Sequence, residues 1–128
     1  MFSHIVIGSN DLAKSKTFYD AALGALGVGE GVRMSETRLA YTQPGAPSLM
    51  ITRPIDGHAA THANGGTLGF KAESAEAVEA WHKAGCAAGG RSCEDPPGVR
   101  EMPFGKLYLA YLRDPDGNKL CAMYRLPA

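Results

Sequence analysis

The strongest constraint on this chain is that it nearly repeats itself. Sliding the sequence by 63 positions sets His4 on Thr67, Ile5 on Leu68, Ile7 on Phe70, Phe18 on Trp81, Ala21 on Ala84 and Gly27 on Gly90. Core-type positions stay apolar and the helix stop stays glycine, as two copies of one supersecondary unit require. Such a chain can build the same small unit twice and place the two sheets side by side.

Each copy reads as strand, helix and further strands. Phe2 to Ile7 is a β-branched run, Asn10 and Asp11 are capping residues, and a helix to about Leu23 keeps Leu12, Phe18, Ala22 and Leu23 close to one face. Gly24 and Gly27 stop it. Strands over about 28–35, 39–43 and 49–53 follow, separated by turn chemistry such as Gln43-Pro44-Gly45. Asp56-Gly57 and Asn64-Gly65-Gly66 mark a surface connection. The plan then recurs. A strand over 67–72 leads to a Ser74-capped helix reaching Ala87 and stopped by Gly89-Gly90, then a short strand near 91–93. A long loop containing Asp95-Pro96-Pro97-Gly98 is large enough to shape a pocket mouth, and the strands 106–113 and 119–124 are joined at the turn Asp114-Pro115-Asp116-Gly117.

The expected fold class is therefore α+β: two βαβββ modules whose sheets form a cup-shaped mixed sheet, with the helices on the convex side. One domain spans 1–128, with module 1 at about 1–56, a linker at about 57–66 and module 2 at about 67–128. Strand alternation assigns faces. Ile5, Ile7, Leu68 and Phe70 go to the helices. Phe2, His4, Val6, Thr67, Cys121 and Met123 go to the cup, and the same count places Leu49, Ile51 and Arg53 there.

Thirteen basic residues balance thirteen acidic ones without runs, so the electrostatic footprint of a nucleic-acid binder is missing. No segment approaches the length that spans a bilayer, and no basic stretch followed by an apolar one opens the chain. The expectation is a cytoplasmic protein whose partner is a small molecule, neither nucleic acid nor membrane. Three cysteines at Cys86, Cys93 and Cys121 suit reduced thiols better than a disulfide framework or a zinc site.

The opening Ser3-His4-Ile5-Val6-Ile7, the helix segment Ser15-Lys16-Thr17-Phe18-Tyr19-Asp20 with Leu23-Gly24, and the closing run Tyr111 to Leu120 with its Asp-Pro-Asp-Gly turn carry a resemblance. The chain resembles the vicinal oxygen chelate superfamily of glyoxalases, bleomycin- and fosfomycin-resistance proteins and extradiol dioxygenases. The resemblance implies paired βαβββ modules, commonly a homodimer, and a divalent metal acting as Lewis acid on two neighbouring substrate oxygens. Its ligand places fall on His4, Ile51, Thr67 and Cys121. His4 matches. Ile51 has no donor atom, Thr67 has a neutral hydroxyl, and Cys121 puts a soft thiol where the superfamily places a carboxylate. A catalytic metal usually needs three protein ligands, so the usual set is not present.

Other chemistry stays open at this stage. His4 could serve as a general base or hydrogen-bond partner, and Cys121 beside it as a nucleophile. Arg53 or Lys119 could bind a carboxylate or phosphate. His58 and His62 are four apart in a glycine-bounded loop and suit a lid. The leading reading is a small-molecule-binding member of the superfamily with an apolar cup lined by Phe2, Val6, Leu49, Ile51, Arg53, Thr67 and Met123. The alternatives are a lactoylglutathione lyase-like enzyme, an isomerase or a dioxygenase that recruits metal through His4 and atypical ligands, and a protein that sequesters a drug or toxin without turnover.

Overall fold

A computed structural model describes residues 1–128. The order is β1 His4–Gly8, α1 Leu12–Gly24, β2 Val32–Ser35, β3 Arg38–Tyr41, β4 Ser48–Thr52, β5 Leu68–Lys71, α2 Ala75–Ala87, β6 Arg91–Ser92, β7 Gly98–Met102, β8 Gly105–Arg113 and β9 Lys119–Arg125. The two helices are each 13 residues long, 63 positions apart at both ends, so the repeat is preserved in three dimensions.

Local chemistry sets the helix ends. Asp11 is extended and its carboxylate accepts from the Lys14 N–H at 3.1 Å, while the Ser74 hydroxyl accepts from the Ala77 N–H at 3.0 Å. Each cap satisfies one amide that the first turn leaves unpaired. The exits differ. Gly27 takes φ +88° after α1, but after α2 the positive φ of +104° belongs to Gly89. Gly90 is needed for space instead, since a Cβ there would overlap the Phe18 ring and sit 2.9 Å from the Gly85 carbonyl oxygen.

The sheets are mixed and separate, in the orders β1-β4-β3-β2 and β5-β9-β8-β6, with β7 pairing the same edge of β8. The first and last strands of each module run parallel, and the other pairs are antiparallel. β7 lies inside the segment read from sequence as loop. No strand of one sheet pairs with a strand of the other or brings a Cα within 8 Å of it, whereas α1 and α2 pack together. One continuous core gathers Phe18, Tyr19 and Leu23 of α1, Val78 and Trp81 of α2, Leu39, Leu49 and Ile51 of the first sheet, and Ala110, Leu112 and Leu120 of the second. Burying these side chains is worth roughly 1.5–3 kcal/mol each for the larger ones, the main term holding the modules together.

This core corrects the face assignment of β4. Ile5 pairs with Leu49 and Ile7 with Ile51 in the parallel ladder, so all four share the helix-facing side. Leu49 and Ile51 are core residues and do not line the cup. Ser48, Met50 and Thr52 occupy the opposite face, because two residues paired with a core-facing strand must follow its parity. Arg53 lies just beyond β4 and is exposed.

Candidate functional site

Because both sheets give their helix sides to the core, their other faces remain for function. On the first sheet this open face holds His4, Val6, Met50, Ala40, Val32, Thr52 and Arg38, connected by the pairs Val6–Met50, Met50–Ala40, Ala40–Val32 and Thr52–Arg38. It is largely uncovered: Val6 is 39% exposed and Val32 66%. His4 is exposed, and its Nδ1 lies 2.7 Å from the Ser3 hydroxyl. Phe2 precedes β1 and is 62% exposed.

The open face of the second sheet is better covered. Leu107, Leu109 and Cys121 are buried in a small apolar cluster apart from the main core, with Tyr111 and Met123 against it. Beside it Lys119 pairs with Glu94 and stacks over the Tyr111 ring at 5.1 Å. Burial pushes the Cys121 thiol up, against a smaller lowering by the hydrogen bond with Tyr111, and its Sγ donates to the Ala122 carbonyl at 3.6 Å. A reactive thiolate needs the opposite shift. Thr67 stands just before β5 and lines a crevice of about 200 Å³ with Ile5, Ile7 and Asn118.

His4 and Cys121 are thus not assembled into a nucleophile and base within one chain, since they stand on separate sheets and no Cα of β1 lies within 8 Å of β9. Among all the side chains, no three His, Cys, Asp or Glu come together to hold a metal ion. The donors do not fit the superfamily's metal: His4 is held by Ser3, Ile51 points into the core, Thr67 is neutral and Cys121 is a buried thiol. Nor do His58 and His62 converge on a site; His58 lies 3.5 Å from Asp56, and His62 packs at the Gly117 turn.

Sequence reasoning missed a polar lock beneath the site. Asp114 is 1% exposed, and its carboxylate accepts from the Tyr19 hydroxyl at 2.5 Å, the Asn118 side chain at 2.9 Å, and the backbone N–H groups of Asp116 and Asn118. Asp116 accepts from the Asn10 N–H and the Ser15 hydroxyl, and Asn118 donates to the Gly8 carbonyl. The β8–β9 turn is therefore clamped onto β1 and α1. Burial, then the Asp114 charge, holds the Tyr19 phenol well above its ordinary pKa. The available signal was a turn carboxylate and a helix tyrosine that both needed buried partners. Arg38 and Met50, whose guanidinium and sulfur lie 3.8 Å apart, were also missed.

Fold and faces together define a protein of two related modules, a βαβββ unit and a second with one strand more, each sheet having one face turned away from the helices. The profile of the Glyoxalase/Bleomycin resistance protein/Dioxygenase superfamily matches residues 1–122. A glyoxalase/bleomycin resistance protein from Albidiferax ferrireducens is similar at 58% identity, with a TM-score of 0.94 over 98% of this chain and 99% of that one. A glyoxalase/bleomycin resistance protein/dioxygenase family enzyme from Burkholderia phytofirmans is 19% identical, with a TM-score of 0.73 over 97% of this chain and 98% of that one. A glyoxalase-related enzyme from Fulvimarina pelagi is 20% identical, with a TM-score of 0.73 over 98% and 88%. No curated protein matches the chain. The chain belongs to the Glyoxalase/Bleomycin resistance protein/Dioxygenase superfamily. No helix is long and apolar enough to cross a membrane.

Proposed function

We propose that this protein binds a small, largely apolar organic molecule on its open sheet faces, without the superfamily's metal chemistry. The observation that carries this reading is the Leu107–Leu109–Cys121 cluster, an apolar floor outside the main core and flanked by Tyr111 and Met123. An apolar cluster apart from the structural core, with part-exposed Tyr111 and Met123 at its edge, suits contact with an apolar ligand. The first sheet offers Val6, Val32 and Met50 on its own open face. In this reading a homodimer sets the first sheet of one copy beside the second sheet of the other, because the two sheets of one chain do not pair.

The test uses N-phenylnaphthylamine, a neutral apolar fluorophore, with sedimentation in parallel. Saturable binding by a dimer, weakened at least about tenfold by Leu109→Lys with the far-UV spectrum unchanged, is the expected result. Absence of binding refutes the reading. Stoichiometric uptake of zinc, nickel, iron or manganese by the purified protein refutes its metal-free part.

A further inference from the structure

We propose that the β3–β4 end of the first sheet is an anion-binding site that takes the carboxylate, phosphate or sulfonate head of an amphipathic ligand. The proposal rests on the small-molecule reading above for the ligand's apolar part, and on its own geometry for the charged part. A crevice of about 610 Å³ opens there, and both Arg38 and Arg53 line it. The two are neighbours across the ladder, since Arg38 pairs with Thr52 and the Arg53 N–H donates to the Thr37 carbonyl at 2.8 Å.

What lines the crevice points to a ligand. Ser35, Thr37 and Thr52 also line the crevice and no aspartate or glutamate does, while on its other side Arg53 borders a neighbouring crevice that holds Asp11 and Glu36. None of the molecule's five ion pairs involves Arg38 or Arg53. Asp56 is near in sequence, but its carboxylate turns to His58, accepting from that residue's N–H at 2.9 Å and lying 3.5 Å from Nδ1. Arg38 makes only the soft contact to Met50, so its forked N–H donors stay free for the planar oxygens of a carboxylate or the tetrahedral oxygens of a phosphate.

The crevice also exposes apolar surface, with Met34 54% and Ile55 fully exposed at its wall. Arg38 and Thr52 share the open face with Met50 and Val6, so an apolar tail leaving the anion site runs onto that face. A charged head at one end and an apolar stripe at the other select an amphipathic organic anion over a neutral molecule.

The deciding comparison is between anilinonaphthalene sulfonate and N-phenylnaphthylamine, which share a ring system and differ in the sulfonate. The sulfonate is expected to bind about tenfold tighter, and the preference to disappear in Arg38→Gln and in Arg53→Gln, the loss of one charge-assisted hydrogen bond each. Inorganic phosphate should compete with the sulfonate and not with the neutral probe. Equal affinity for the two probes, or a preference that survives both substitutions, overturns the anion site while leaving the small-molecule reading intact. If neither fluorophore binds, that reading falls and calorimetry with inorganic phosphate alone decides the anion site: heat lost in both variants supports it, and no heat with the unaltered protein overturns it.

Discussion

Removing the Asp114 carboxylate should be among the most damaging single changes outside the apolar core. The carboxylate is buried and accepts four hydrogen bonds, one from Tyr19, whose side chain is fully buried. In Asp114→Ala the part-buried amides of the turn can reach water, but the Tyr19 hydroxyl cannot. Breaking a buried charged network in this way costs about 3–5 kcal/mol. Tyr19→Phe removes a single donor and leaves the carboxylate three others, so its cost is about 1–2 kcal/mol. For a chain of this length 1 kcal/mol moves the melting midpoint by roughly 3–5 °C, which puts the two variants about 9–25 °C and 3–10 °C below the parent. Urea and thermal unfolding of both single variants and the double variant would measure the coupling, expected at about 1–2 kcal/mol. A coupling below about 0.5 kcal/mol, or an Asp114→Ala cost no larger than that of Tyr19→Phe, would refute the account. Should Asp114→Ala fail to fold, Asn118→Ala paired with Tyr19→Phe probes the same network.

Tyr19 and Tyr41 both have raised phenol pKa values, with burial as the first cause and Asp114 or Asp20 as the charged neighbour. Each group then stabilises the fold below the unfolded tyrosine value near 10, and that stability is lost as pH rises from there toward the folded value. Ultraviolet titration should show two tyrosines ionising only with unfolding, and Tyr19→Phe should reduce the alkaline loss of stability. Gly90→Ala should cost about 2–3 kcal/mol in urea unfolding, since the new methyl overlaps Phe18 and approaches two carbonyl oxygens at 2.9 and 3.1 Å. A cost near zero would show that the ring moves freely. Of the three thiols, exposed Cys86 should react first with a maleimide and buried Cys121 last, read by mass spectrometry over time.

Legibility in the sequence tracked how local each feature is. Both helices could be read because their caps, Asp11 and Ser74, and their glycine exits lie within a few residues of the segments they bound. The strand β7 was hidden because its neighbours Pro96 and Pro97 signal a loop and its own Arg100-Glu101 breaks the apolar run. On β4 the alternation itself was sound, but its phase depends on the parallel partner β1, a long-range fact that Leu49 and Ile51 do not carry alone. The turn at Asp114 could be read as a turn, while its role as an acceptor for a tyrosine 95 positions away could not. The same distance effect hid Arg38: nothing beside it in sequence shows that Arg53 opens onto the same crevice.

The clamp at the β8–β9 turn also bears on the order in which the chain can become stable. Its contacts reach from Gly8, Asn10 and Tyr19 across 95 to 110 positions, so they close only after Asn118 has been made. The first module leaves synthesis with the partners of Asp114, Asp116 and Asn118 still unmet. The duplicated plan therefore does not yield two self-sufficient halves. At the positions 63 residues before that turn stand Ile51-Thr52-Arg53-Pro54, with no carboxylate to return the favour to α2. The fastening is one-sided, and a fragment ending after β4 should remain loosely ordered however well its own helix is capped.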